Sequence, residues 1–382
     1  MKVLILSCNT GQGHNSAAQA IRQSVETRGG ACDIEDLFGF ISDGVSRFMG
    51  WGHSCMYRCF PGVFRFGYGY AEEHKKVFQE DAAAYRFLTR GSERIYQFCM
   101  DGQYDAVICA HVFSALAITD VKKKYPLRAK TYFVATDYTC SPSMGESDLD
   151  GYFIPAEALS DEFSACGIPV SRIVPTGIPI RKDFYEAANR TAARKKIGLP
   201  DNGPHLLVMC GSMGCGPIEE LVEELAKRLP TDCHVSVICG TNSKLKKRLE
   251  QRLAQQPRIH MYGFIRNIPA MMDSADLYLT KPGGISVTEA AVKGLPMVFV
   301  NAVAGCETHN MRFFLERGGA ATAVEPEQIA ELCVQLLKDD AKRSRMSAAL
   351  RETVCDDAAE NIHCCLQKAL EEIEKTHYER IQ

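Results

Sequence analysis

Short apolar runs of strand character alternate with amphipathic helical stretches along this chain, and no other feature restricts its fold as much. Lys2–Ser7 (KVLILS), Tyr104–Ala110 (YDAVICA), Lys130–Ala135 (KTYFVA) and His205–Cys210 (HLLVMC) read as buried strands. So do Cys233–Cys239 (CHVSVIC), Asp276–Thr280 (DLYLT) and Pro296–Val300 (PMVFV). Helix patterns lie between them, among them Ala17–Arg28, Ile218–Arg228, Ser243–Gln255 and Ser286–Lys293. Such alternation predicts an α/β protein with parallel sheets and helices on both faces.

The pattern restarts. After Thr176–Pro179 (TGIP), a charged, helix-prone stretch (Arg190–Ile197) leads to GLPDNGP, and a new strand enters a second glycine-rich turn, CGSMGCGP at 210–217. At 382 residues the chain exceeds one ordinary core, given roughly 100–200 residues per domain. We expect two doubly wound, Rossmann-like domains facing across a cleft. The first is an acceptor- and membrane-facing domain over 1–190, the second a nucleotide-sugar domain over 200–355. Ligands in such folds bind beyond the carboxyl ends of the strands. The last segment, 356–382, carries Ile362, Leu366, Ala369, Leu370 and Ile373 on one helical stripe, so it is expected to pack back on the body.

A net charge of −3 offers no polybasic footprint for nucleic acid. No apolar run approaches the ~20 residues of a membrane-spanning helix, and the start does not read as a signal peptide. The 17 cysteines are scattered without a C-x-x-C, so they read as reduced, buried small hydrophobes of a cytoplasmic protein. One segment breaks the alternation. Residues 44–70 hold eight aromatics, three arginines and no acidic residue. Arg47, Trp51, Phe60, Phe64 and Arg65 there suit an anionic membrane surface, rings in the acyl boundary and guanidiniums at the headgroups. A core-packing excursion is the alternative.

The first turn, SCNTGQGHNSAA at 7–18, resembles a phosphate loop without matching one. It lacks the lysine of a P-loop, and Ser16 stands where a dinucleotide fingerprint has its third glycine. Glu35 and Asp36 keep a nicotinamide reading open. Gly11 and Gly13 permit close backbone approach, and Asn15 or Ser16 can cap the following helix. His14 titrates near neutrality and can take a proton from an alcohol; it can equally be a backbone-bonded capping histidine.

A richer cluster stands in the second half. In Thr280–Glu289 (TKPGGISVTE) a strand ends, Gly283 and Gly284 turn, and a helix begins, so a diphosphate there meets free N–H groups and a positive helix end. Ser286 or Thr288 can add hydroxyls, and the two oxygens of Glu289 can accept from both hydroxyls of a ribose. Met261–Ile265 offers amides and an apolar face to a base. The stretch Asn301–Asn310 reads as a loop whose Glu307, His309 and Asn310 reach sugar hydroxyls.

Several motifs occur in the same order along nearly the whole chain. These are G-x-G-H-x-x-A-A, Thr136–Asp137, TGIPI at 176–180, GSMG, G-F-I and KPGG-x-[ST]-x-x-E. Together they resemble the diacylglycerol glycosyltransferases, the group of monogalactosyldiacylglycerol synthase and the processive diacylglycerol β-glucosyltransferases, distant relatives of the transferase that makes lipid II. The resemblance implies the two-domain GT-B fold and an inverting transfer of a hexose from a UDP-sugar to diacylglycerol, at the inner face of the cell membrane. It implies no metal and no cofactor, the UDP-sugar being a substrate. His14 corresponds to the base, with Asp137 as rival base or orienting partner. Gly211, Ser212 and Gly214 correspond to the turn near the diphosphate, and Phe264 and Ile265 to the uracil-contacting stretch. Gly283, Gly284 and Ser286 correspond to the phosphate turn, and Glu289 to the ribose ligand. Where the family reads G-Q-E, this chain has Gly305–Cys306–Glu307, which leaves UDP-glucose and UDP-galactose both open. Two other readings are a UDP-sugar epimerase or nicotinamide enzyme on a similar scaffold, and a catalytically silent UDP-sugar sensor at the membrane.

Overall fold

The five positions after Lys2 in β1 (Lys2–Ser7) are all buried, because this strand runs through the interior of a parallel sheet covered on both faces. The computed structural model describes residues 1–8, 12–48, 79, 82–211, 214, 217–300 and 305–379. Trp51, Phe60, Phe64, Arg65, Gly11 and Ser212 lie outside the described residues.

The chain forms two units. One comprises Met1–Arg181, Ala304–Cys306 and Cys355–Gln382, the other Lys182–Val303 and Glu307–Val354. In the first, β1, β2 (Ala31–Asp36), β3 (Ala106–Cys109), β4 (Lys130–Val134), β5 (Gly151–Ile154) and β6 (Ile173–Pro175) form a parallel sheet ordered β2-β1-β3-β4-β5-β6. The second unit has β7 (His205–Met209), β8 (His234–Ile238), β9 (Ile259–Tyr262), β10 (Leu277–Thr280), β11 (Met297–Phe299) and β12 (Ala320–Thr322). These are likewise all parallel, in the order β12-β11-β10-β7-β8-β9. Both sheets bear out the doubly wound expectation.

In the first unit the helix Gln12–Thr27 lays Ala17, Ala18, Ile21 and Val25 on the sheet, the spacing of one helical face. It ends at Gly29, whose φ of +78° is the left-handed conformation that closes helices. The helix Ala358–Glu379 completes this core: Ile362 and Leu366 sit in one cluster with Val3, Ile21, Val25 and Phe153. The Asn361 amide donates to the Thr176 carbonyl at 3.2 Å. The terminal stripe therefore packs back, on the unit that begins the chain.

The second unit opens on a buried polar knot. Arg194, on the helix Arg190–Ile197, is fully buried and donates to the carbonyls of Pro200, Asn202 and Gly203 at 2.8, 2.7 and 2.7 Å. His205, at the start of β7, is held between the hydroxyls of Ser236 and Ser274, each at 2.9 Å. Burial pushes its pKa down to about 4, because desolvation penalises the charged imidazolium. Among the described residues no helix is long and apolar enough to cross a membrane.

Candidate active site

A doubly wound sheet opens a crevice where its strand order reverses, at the carboxyl ends of the two strands flanking that point. In the first unit the reversal falls between β1 and β3. The turns after these strands are thus neighbours, though far apart in sequence.

His14 is the third residue of the helix Gln12–Thr27 and is half-buried. Its Nδ1 lies 3.1 Å from Oγ1 of Thr136, a buried residue just past β4. Its ring meets the edge of the His111 ring, centroids 4.8 Å apart. His111 is the N-cap of the helix Val112–Lys124, where its Nδ1 accepts the backbone N–H of Phe113 at 3.1 Å. The Phe113 ring lies against His111 with centroids at 4.5 Å. Asp137 follows Thr136 and is half-buried. Burial pushes the thiols of Cys8 and Cys109, at the ends of β1 and β3, well up, so neither is an active nucleophile.

Some expectations change here. The helix begins at Gln12, so Asn15 and Ser16 lie inside it and cap nothing. Asn15 Oδ1 instead accepts from Ser7 Oγ at 2.8 Å, binding the helix to the end of β1. Gly13 is likewise helical and outside the left-handed region. Glu35 and Asp36 belong to β2 itself, and the Asp36 carboxylate accepts from the Ser46 hydroxyl. Arg47 is exposed, next to Phe48 at 66% exposure.

In the second unit the order reverses between β7 and β10, which brings the turn after β7 against the turn after β10. Gly211 has φ +75° and Gly214 φ +56°, and the Gly214 N–H donates to the Gly211 carbonyl at 3.2 Å. A Cβ on Gly211 would stand 2.8 Å from Cε of Lys281. The Lys281 ammonium is 2.7 Å from Glu307 Oε1. Gly283 is the N-cap and Gly284 the first residue of the helix Gly284–Val292. Along that helix Ser286 Oγ is 2.7 Å from the Tyr278 hydroxyl, and Glu289 is half-buried. Phe264 stands 64% exposed after β9, with Ile265 half-buried beside it.

Two donor-side expectations are corrected. Thr288 is buried and donates back to the Gly284 carbonyl at 2.7 Å, so its hydroxyl serves the helix. The stretch ending at Asn310 is not all loop, since Cys306–Glu316 is a helix with Glu307 in its first turn. Asn310 is fully buried, its amide donating to the Pro282 carbonyl at 3.0 Å. It therefore secures the KPGG turn from beneath. His309, half-buried, keeps its Nδ1 3.3 Å from Arg312. His111 escaped the sequence reading, and Lys281 entered it only as the first residue of the KPGG motif, without a role; each stands just past a buried strand.

Two doubly wound parallel sheets, each with a reversal of strand order, are the architecture of the GT-B fold. Solved structures agree on the fold. MurG from Acinetobacter baumannii aligns at a TM-score of 0.66 with 15% identity, over 96% of this chain and 99% of that one. The UDP-GlcNAc 2-epimerase from Neisseria meningitidis, bound to UDP-GlcNAc, aligns at 0.60 with 13% identity, over 98% and 100%. Residues 14–180 match the model of the monogalactosyldiacylglycerol (MGDG) synthase family, and residues 205–362 match that of the glycosyltransferase family 28 C-terminal domain. A processive diacylglycerol beta-glucosyltransferase from Bacillus cereus is 28% identical over 364 residues, 94% of this chain and 92% of its own.

Proposed function

We propose that this protein transfers a hexose from UDP-glucose or UDP-galactose to the hydroxyl of diacylglycerol, inverting the anomeric centre. The observation that carries this reading is the succession of a match to the MGDG synthase family and a match to the family 28 C-terminal domain, each on a sheet with its own reversal of strand order. Likeness to both a transferase and an epimerase at 13–15% identity speaks for the fold alone. The domain families favour transfer.

In this reading the acceptor oxygen bonds to C1 of the hexose as the bond from C1 to the diphosphate oxygen breaks. The hydroxyl proton passes to Nε2 of His14, and UDP departs with the bonding pair. For Nε2 to be basic, the proton of neutral His14 must sit on Nδ1, so Thr136 Oγ1, at 3.1 Å, acts as its acceptor. Charge on the leaving diphosphate is met by amides at Gly283–Gly284 and the positive end of the helix Gly284–Val292, fixed dipoles that do not reorganise during reaction. Glu289 takes the ribose, and Phe264 and Ile265 cover the uracil. We assign no metal or cofactor to the reaction. The segment around Arg47, Trp51, Phe60, Phe64 and Arg65 meets the anionic inner face of the cell membrane, where diacylglycerol resides.

The test is UDP release by purified protein with diacylglycerol vesicles and each donor in turn. Release that requires both vesicle and UDP-hexose supports the reading. No release with either donor, from folded protein, rejects it; conversion of UDP-sugar without acceptor would establish the epimerase instead.

A further inference from the structure

The ion pair between Lys281 and Glu307 stands where the second sheet reverses, and the donor reading gives neither its lysine nor the pairing a role. Only 19% of the Lys281 side chain and 9% of the Glu307 side chain are exposed. Removing two charges from water is costly, and such a pair contributes little net stability for that reason. Its position shows what it offers. The lysine stem lies against Gly211, whose missing side chain makes the room: a Cβ there would come within 2.8 Å of Cε. The Lys281 carbonyl accepts the Gly283 N–H at 2.9 Å, fixing the backbone between the end of β10 and the start of the helix Gly284–Val292.

The charges around it do not cancel. Glu307 is the second residue of the helix Cys306–Glu316, so the positive start of that helix compensates part of its charge. Lys281 is then more than is needed to neutralise it. The start of the helix Gly284–Val292 adds further positive potential at the same crevice. Among the described residues the Lys281–Glu307 pair stands beside two helix starts, Cys306–Glu316 and Gly284–Val292, whose positive ends favour an anion.

We infer that Lys281 is a ligand of the UDP diphosphate and that Glu307 is its resident counter-ion in the unliganded protein. An arriving diphosphate draws the ammonium away from Glu307. The freed carboxylate then accepts hydrogen bonds from hexose hydroxyls, so that phosphate binding and sugar recognition are coupled through one side-chain exchange. This rests on the donor-site reading above.

Calorimetric titration of the full chain with UDP, UDP-glucose and UDP-galactose tests it. Lys281→Met is expected to weaken UDP binding about ten- to a hundredfold, the scale of one charge-assisted contact; Lys281→Arg should recover most of that loss. Glu307→Gln is expected to have the opposite sign: UDP binds about three- to tenfold tighter, having no carboxylate to displace, while the advantage of UDP-hexose over UDP shrinks. Unchanged UDP affinity in folded Lys281→Met overturns the inference. So does a Glu307→Gln protein that binds UDP more weakly than the wild type, a result that decides the matter even if Lys281→Met fails to fold. A wild-type protein that does not bind UDP at all rejects the donor site itself, which is a different failure.

Discussion

The imidazole of His14 meets that of His111 edge to face, with centroids 4.8 Å apart and planes at 74°. His111 Nδ1 accepts the Phe113 N–H, so that ring is committed to capping its helix, and the base role is proposed for His14. His14→Ala should lower kcat about 10²- to 10⁴-fold with UDP affinity unchanged, as expected of a general base. Thr136→Val, which removes the acceptor at Nδ1, should cost about tenfold in kcat and move the acid limb of the kcat–pH profile, whereas Thr136→Ser keeps both. Loss of UDP affinity with normal turnover at saturation would assign His14 to the phosphate.

Gly211 is glycine for two reasons that a substitution would reveal together. Its φ is +75°, which costs other residues about 1–2 kcal/mol, and its Cβ would press on the Lys281 stem. Gly211→Ala should lower Tm by several degrees and weaken UDP binding. Differential scanning calorimetry with and without UDP separates the two effects: the ligand-induced rise in Tm should shrink more than the basal Tm falls.

Acid should loosen the second unit first. His205 has a folded-state pKa of about 4 against an ordinary 6.5. Between those values the unfolded chain binds the proton and the native one does not, so stability is lost as pH falls from about 6.5 toward about 4. The loss is at most about 3 kcal/mol from this residue. Burial also pushes His234 and His260 down, which adds in the same direction. Urea unfolding at pH 7 and pH 5 should show a lower midpoint at pH 5, with a smaller difference in His205→Gln; equal slopes in the two proteins would place the acid sensitivity elsewhere.

Truncating the terminal stripe should damage the first unit. Ile362 is fully buried among β1, β3 and the helix Gln12–Thr27, so Ile362→Ala is expected to cost about 2–4 kcal/mol. Hydrogen exchange is the decisive measurement: protection should fall in β1 and β3 and hold in β7 and β10.

The aromatic segment gives a membrane prediction. Replacing Trp51, Phe60 and Phe64 by serine should reduce co-sedimentation with vesicles containing anionic lipid and diacylglycerol, at unchanged UDP affinity. Undiminished sedimentation would assign the segment to packing.

Strands such as KVLILS and HLLVMC were legible because interior parallel strands must be apolar at every position. IVP, IHMY and AAT, which form β6, β9 and β12, are short and edgeward, and they escaped; so did GYFI in β5, which is interior but only four residues long. His14 was legible as a histidine in a glycine turn. His111 and Lys281 were not, because what gives them meaning is strand order: β1 lies beside β3, and β7 beside β10. Asn310 misled because a polar residue near a site can serve the backbone as readily as a ligand.

The return of the last helix to the first unit also sets an order in time. A ribosome delivers β1 before the second unit and Ile362 after it, so the apolar bed that Ile362 and Leu366 fill stays uncovered while that unit is made. Domains usually fold in the order in which they emerge. Here the earlier unit closes after the later one, and a nascent chain bears no finished first unit until the second has been made.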